Sequence, residues 1–155
     1  MTALAANKAR FVRATEHMTL RQVTTGASFT AYRGGLVNFN ASGQAVSAAD
    51  TSGHRIAGVI PFATESSPGV QGAIASGVSF NVEVGHEEWF PLGGSTAFDG
   101  ADLMLDACVF DTGSVATGGE TTNDVRVGRI VQLETINSVA GVWVQVGVFG
   151  TAATA

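Results

Sequence analysis

Along "VWVQVGVF" the side chains alternate. Val142, Val144, Val146 and Val148 fall on one face, and Trp143, Gln145, Gly147 and Phe149 on the other. A period of two marks a strand whose faces meet different surroundings. "SFNVEV" repeats the pattern, with Phe80, Val82 and Val84 opposite Asn81 and Glu83. "VRVGRIVQLETI" is a third β-rich run, interrupted at Gly128 as a bulge or close backbone contact would interrupt it. "INSVAG" joins it to the final strand as a hairpin. Shorter strands are predicted in "TLRQVT", "SFTAY", "LVNFN", "RIAGVIPF", "EEWFPL" and "DLMLDACVF". Turn-rich tracts of Gly, Ser, Asn and Asp lie between them. No stretch carries a long apolar stripe at helical spacing, and "GVQGAIASG" holds one helical turn at most. The pattern predicts an all-β fold, a small barrel or sandwich. Residues 1–30 read as an N-terminal arm or edge segment, 31–150 as the β-domain, and the closing "TAATA" (151–155) as frayed.

Composition narrows the function classes. A chain of 155 residues fits one domain with a real core. Only 14% of residues are charged, well below the usual quarter or so, and a surface this poor in charge suits burial in an assembly. The net charge of −5 argues against nucleic-acid binding by general electrostatics. The charge is uneven. Lys8, Arg10, Arg13, Arg21 and Arg33 against Glu16 give the first 33 residues +4, and the rest carries −9. Cys108 is the single cysteine, so no intrachain disulfide forms, and Val109 and Phe110 beside it suggest a packed thiol. The first residues lack the apolar core of a signal peptide, and no run approaches the roughly 18 apolar residues of a membrane span. The expectation is synthesis in the cytoplasm and no membrane association.

Chemistry-bearing residues do not assemble into a motif. In "GHEEWF" only His86 and Glu88 share a strand face, Glu87 pointing the other way. Two ligands do not complete a zinc site. Asp99, Asp102, Asp106 and Asp111 lack EF-hand spacing. On one strand, Asp102 and Asp106 would stand about 13 Å apart at ~3.3 Å per residue. Asp50, Ser52 and His54 are too close in sequence to form a relay. There is no G-x-S-x-G elbow, and "GSVATGG" lacks the G-K-[ST] ending of a phosphate loop. The reading is non-enzymatic, with no metal or cofactor. "GGLVNFNASGQAVSAADTSGHRIAGVIPF" then reads as strand, flexible polar link, strand.

Four stretches carry a likeness across about residues 30 to 150: "AYRGGLVNFNASGQAVSAADTSGHRIAGVIPF", "SGVSFNVEVG", "FDGADLMLDACVFDTGSVA" and "RVGRIVQLETINSVAGVWVQVG". In this order they resemble small bacteriophage head proteins called decoration or cement proteins. In that family a V-x-x-N-x-x-G turn leads through a P/S-A-x-D tract to x-x-G-V. A G-x-x-L-Y-x-D-D-x-x-V stretch and a closing hairpin follow. Met104 stands where the family has Tyr, and its Asp pair is spread to Asp106 and Asp111. The resemblance implies a β-barrel or β-tulip-like domain. It would sit as a homotrimer on the outer surface of the virion capsid, where it binds the major capsid protein and stabilises the shell against DNA pressure. On this reading the basic arm, with Lys8, Arg10, Phe11 and Arg13, docks on an acidic surface of the shell or a sister subunit. Trp89, Phe90 and Phe98 are the further interface anchors. The alternatives are a tail-tube or head-fibre domain, or a carbohydrate-binding β-domain using Trp89 or Trp143.

Overall fold

The computed structural model describes residues 10–61 and 72–155. Its strands are β1 (Val12–Arg13), β2 (Thr19–Thr24), β3 (Phe29–Ala31), β4 (Leu36–Phe39), β5 (Ala45–Ser47), β6 (Arg55–Val59), β7 (Gly72–Ile74), β8 (Ser79–Val84), β9 (Glu87–Pro91), β10 (Asp106–Val109), β11 (Val115–Ala116), β12 (Arg126–Ile136) and β13 (Val139–Val146). The protein is all-β, as its alternating pattern predicts. Asn137 and Ser138 both take positive φ, 50° and 64°, and form the two-residue turn that joins β12 to β13.

Six strands form one antiparallel sheet in the order β1-β9-β13-β12-β10-β11, five form another in the order β2-β8-β6-β4-β5, and β3 pairs with β7. Set β1 aside, with the β3–β7 pair, and the two sheets have one connectivity: first, fifth, fourth, second, third strand. Their details coincide as well. Val37 pairs with Gly58 and Asn38 with Ile56 across a bulge. Seventy positions later Ala107 pairs with Gly128 and Cys108 with Arg126 across a bulge at the same point. One parallel bridge joins the edges of each sheet, Thr25 to Ala45 in the five-stranded sheet and Leu92 to Val115 in the six-stranded one. Each sheet therefore curls toward a barrel without a closed ladder. The chain is a tandem repeat of one five-strand unit. The repeat is hidden in the sequence because 36–60 and 106–130 share only Gly43/Gly113, Thr51/Thr121, Gly58/Gly128 and Ile60/Ile130.

Each half encloses its own core. Val37, Ala57, Ile60 and Val82 belong to the first cluster, which Ala31 and Ile74 of β3 and β7 complete. Ala107, Val127, Ile130 and Val144 belong to the second. Leu36, Ile56 and Val59 point out of the first half and pack onto the second cluster. That is why "RIAGV" reads as a continuous apolar run: both faces of β6 are buried. Backbone amides of Thr122 and Asn123 in the second half donate to the Asp50 carboxylate of the first, at 2.6 and 3.0 Å.

Several expectations are corrected. Of the two readings of residues 1–30, the described part, 10–30, fits the edge segment and not an extended arm: β1 and β2 are edge strands, paired with β9 and β8. The tract after Gly34 is no simple link, because β5 lies inside it and pairs with β4. Gly72–Ile74 of "GVQGAIASG" is strand rather than helical turn, and its residues 69–71 lie outside the described ones. Strand β10 begins only at Asp106. Before it, Asp99 and Asp102 form a capping box on a short 3-10 turn, which removes the one-strand geometry expected for Asp102 and Asp106. The tail is pinned rather than frayed. Thr154 is buried, its amide donates to Asp106 O at 3.0 Å, and its carbonyl accepts from Gly118 N at 3.0 Å.

Candidate functional site

The most highly charged interior site lies where the N-terminal strand meets β8 and β9. His86 and Glu88 do share a face, and both are fully buried, with His86 Nε2 2.8 Å from Glu88 Oε1. The partner absent from the sequence reading is Arg10. Its side chain is fully buried. Nε donates to both Glu88 oxygens at 3.2 Å, and Nη2 donates to Glu88 and, at 2.8 Å, to Glu83 on β8. Burial works against the charge on Arg10. The hydrogen bonds and negative charge of Glu88 and Glu83 outweigh it, so the guanidinium pKa stands above its ordinary value. A cation of the protein's own thus occupies the place between Glu83, His86 and Glu88. Among the described residues no group of three or more His, Cys, Asp or Glu side chains is set to hold a metal ion.

The opposite face of the same strands carries the aromatic residues. Trp89 and Trp143 are register partners on β9 and β13, so their side chains leave the sheet on the same face. Phe11 meets Trp89 edge-on at 5.8 Å. The Arg13 guanidinium lies 3.6 Å from the Trp143 ring centroid and donates to Gln132 Oε1 at 2.9 Å. Both indole N–H groups donate to Glu134, Trp89 to its carbonyl and Trp143 to its carboxylate. These contacts leave Trp89 only 8% and Trp143 only 6% exposed.

The residues expected at an interface are therefore split. Phe90 is in the core, and Arg10 is internal. Phe98 packs against the second cluster. Trp89 lies on the outer face beneath Phe11. Arg13 keeps 42% of its side chain exposed. Lys8 lies outside the described residues. Exposed apolar side chains stand elsewhere, at Leu20, Val139 and Phe149. Leu20 had a signal in the sequence: in "TLRQVT" it falls on the face opposite Val23, and only one of the two can point inward.

The remaining polar candidates have structural tasks. Asp106 is buried and accepts from Arg126 at 3.1 Å and from Gly150 N at 2.6 Å. Asp111 accepts from Gly113 N and Ser114 Oγ within its own turn. Asp50 is spent on the second half, away from any relay with Ser52 and His54. Cys108 is fully buried, and burial first, then the charge of Asp124, pushes its thiol up to about 12. An aromatic disulfide reagent at pH 8 should leave the native thiol unmodified and titrate it fully in denaturant. Unfolding should ease as pH rises above 9.0, since the unfolded thiol then ionises while the native one holds its proton.

Compared with known protein families, curated proteins and solved structures, the chain finds no match.

Proposed function

We propose that this protein decorates an icosahedral phage head. It binds the outer surface of the shell as a homotrimer, contacts the major capsid protein and sister subunits, and holds the shell together by multivalent contact rather than by chemistry. The observation that carries this reading is the ordered likeness of the strand-and-turn segments between residues 30 and 150. Those segments contain β4 to β6, β8, β10 with β11, and the β12–β13 hairpin of one all-β body. The low charge supports it, because a β-domain with 14% charged residues can bury much surface against neighbours. The contacts belong to exposed side chains such as Arg13, Leu20 and Val139. A glycan-stacking role is disfavoured for Trp89 and Trp143, whose rings are covered by Phe11 and Arg13.

The test is co-sedimentation with expanded heads that lack the protein. Saturable pelleting at a fixed number of copies per head is expected. The free protein should have a light-scattering mass three times 15.8 kDa. Heads that pellet without it contradict the proposal, and rings or fibres of the free protein would point to a tail or fibre part instead.

A further inference from the structure

A cleft of about 470 Å³ opens where the two halves of the chain meet, lined by Arg21, Phe39, Arg55, Ile56, Arg126 and Phe149, with His54, Asp124 and Val125 beside them. Its walls are built from matching parts of the repeat. Arg55 and Ile56 begin β6, and Val125 and Arg126, seventy positions on, lead into β12. The halves place different chemistry at these equivalent points, as sites between domains commonly do.

Three of the eight basic residues of a chain with net charge −5 converge here. Arg126 is held by Asp106 at 3.1 Å and lies 5.5 Å from the Phe149 ring. Arg21 is anchored through Nη1 on Ala57 O at 3.1 Å and lies 5.8 Å from the Phe39 ring. Among the described residues neither Arg21 nor Arg55 has an ion pair with a carboxylate. Nδ1 of His54 is enclosed with no hydrogen-bond partner. Asp124 is engaged locally, accepting from Thr121 Oγ1 at 2.8 Å. The cleft thus offers unneutralised planar donors beside apolar surface from Phe39, Ile56, Val125 and Phe149, the last 47% exposed.

We infer that this cleft binds a short acidic peptide segment of a partner protein, one that presents a carboxylate to Arg21 and Arg55 and an apolar side chain to Phe39 and Phe149. Guanidinium forks match carboxylates in two-point hydrogen bonding. The volume admits a few side chains rather than a folded surface. A long polyanion such as nucleic acid would meet the acidic remainder of the chain. The inference does not depend on whether the partner is a capsid shell.

The test is titration of the isotope-labelled full-length protein, followed by amide chemical shifts. The probe is a blocked peptide of alternating aspartate and phenylalanine. Its asparagine analogue, inorganic phosphate and oligothymidylate are titrated in parallel. Shifts confined to residues around Arg55, Ile56, Val125 and Arg126 are expected, weakening with salt. Arg55→Gln should lower affinity about tenfold, the value of one charge-assisted pair. Arg21→Gln should act in the same direction, and unchanged melting temperatures would show both variants folded. No shifts at millimolar peptide, or equal binding of the asparagine analogue, would overturn the inference. Tighter binding of phosphate or oligothymidylate would also overturn it, in favour of a phosphate site.

Discussion

Replacing Glu88 by alanine should lower stability by about 3–5 kcal/mol, because it leaves a buried guanidinium without its main acceptor. Glu88 is fully enclosed, accepts from Arg10 and stands 2.8 Å from His86 Nε2. Removing it also frees the buried anchor just ahead of β1, which adds to the pairing of β1 with β9. Urea unfolding followed by tryptophan fluorescence reads the change, since Trp89 and Trp143 lie on the same strands. The midpoint should fall with little change in slope. The double variant Arg10→Met with Glu88→Leu should recover most of the loss, because an apolar pair avoids the desolvation cost. A loss below about 1 kcal/mol would mean the cluster behaves like an exposed ion pair. The same geometry changes what truncation means. Deleting residues 1–14 removes Arg10 and β1, so it should destabilise the fold before it reports on docking.

Alanine at Gly58 or at Gly128 should cost about 3 kcal/mol or more, at the upper end of overpacking effects. A Cβ at Gly58 would stand 2.6 Å from Glu83 O, and one at Gly128 would stand 2.0 Å from Gln145 O. Both clashes are with backbone of the neighbouring strand, which cannot swing away. Gly58 also has a φ of 155°. The two sites are equivalent in the repeat, since Val59 pairs with Glu83 and Arg129 with Gln145. Thermal melts of the two variants should show losses of similar size. A neutral substitution at either position would contradict the bulge geometry. Gly43→Ala, where a Cβ would meet nothing, serves as the control for the strain of positive φ alone.

Much of this fold is legible in the sequence where local rules decide. Alternation fixes β8 residue by residue and Gly128 marks the bulge, whereas β13 starts at Val139, inside the expected link, and ends at Val146, before Val148 and Phe149. The turn at Asn137 and Ser138 follows from two small polar residues between β-rich runs. What stays hidden depends on distant partners. Nothing near Arg10 in sequence says that it will be buried, because Glu83 and Glu88 lie more than seventy positions away. Thr154 likewise looks like a loose end until Asp106 and Gly118 receive it. The repeat escapes notice because its geometry demands glycine at the bulge, Gly58 and Gly128, and tolerates any side chain of fitting size at most other positions. The aromatic residues were visible as a group. Their division between core and outer face required the register of β9 against β13.

The measurement that tests the central claim most directly is the temperature at which heads lacking this protein release their DNA, read by a dye before and after the purified chain is added. The account predicts an upward shift that grows with bound protein and stops when the heads are saturated. An unchanged release temperature at saturating protein would contradict a role in stabilising the shell.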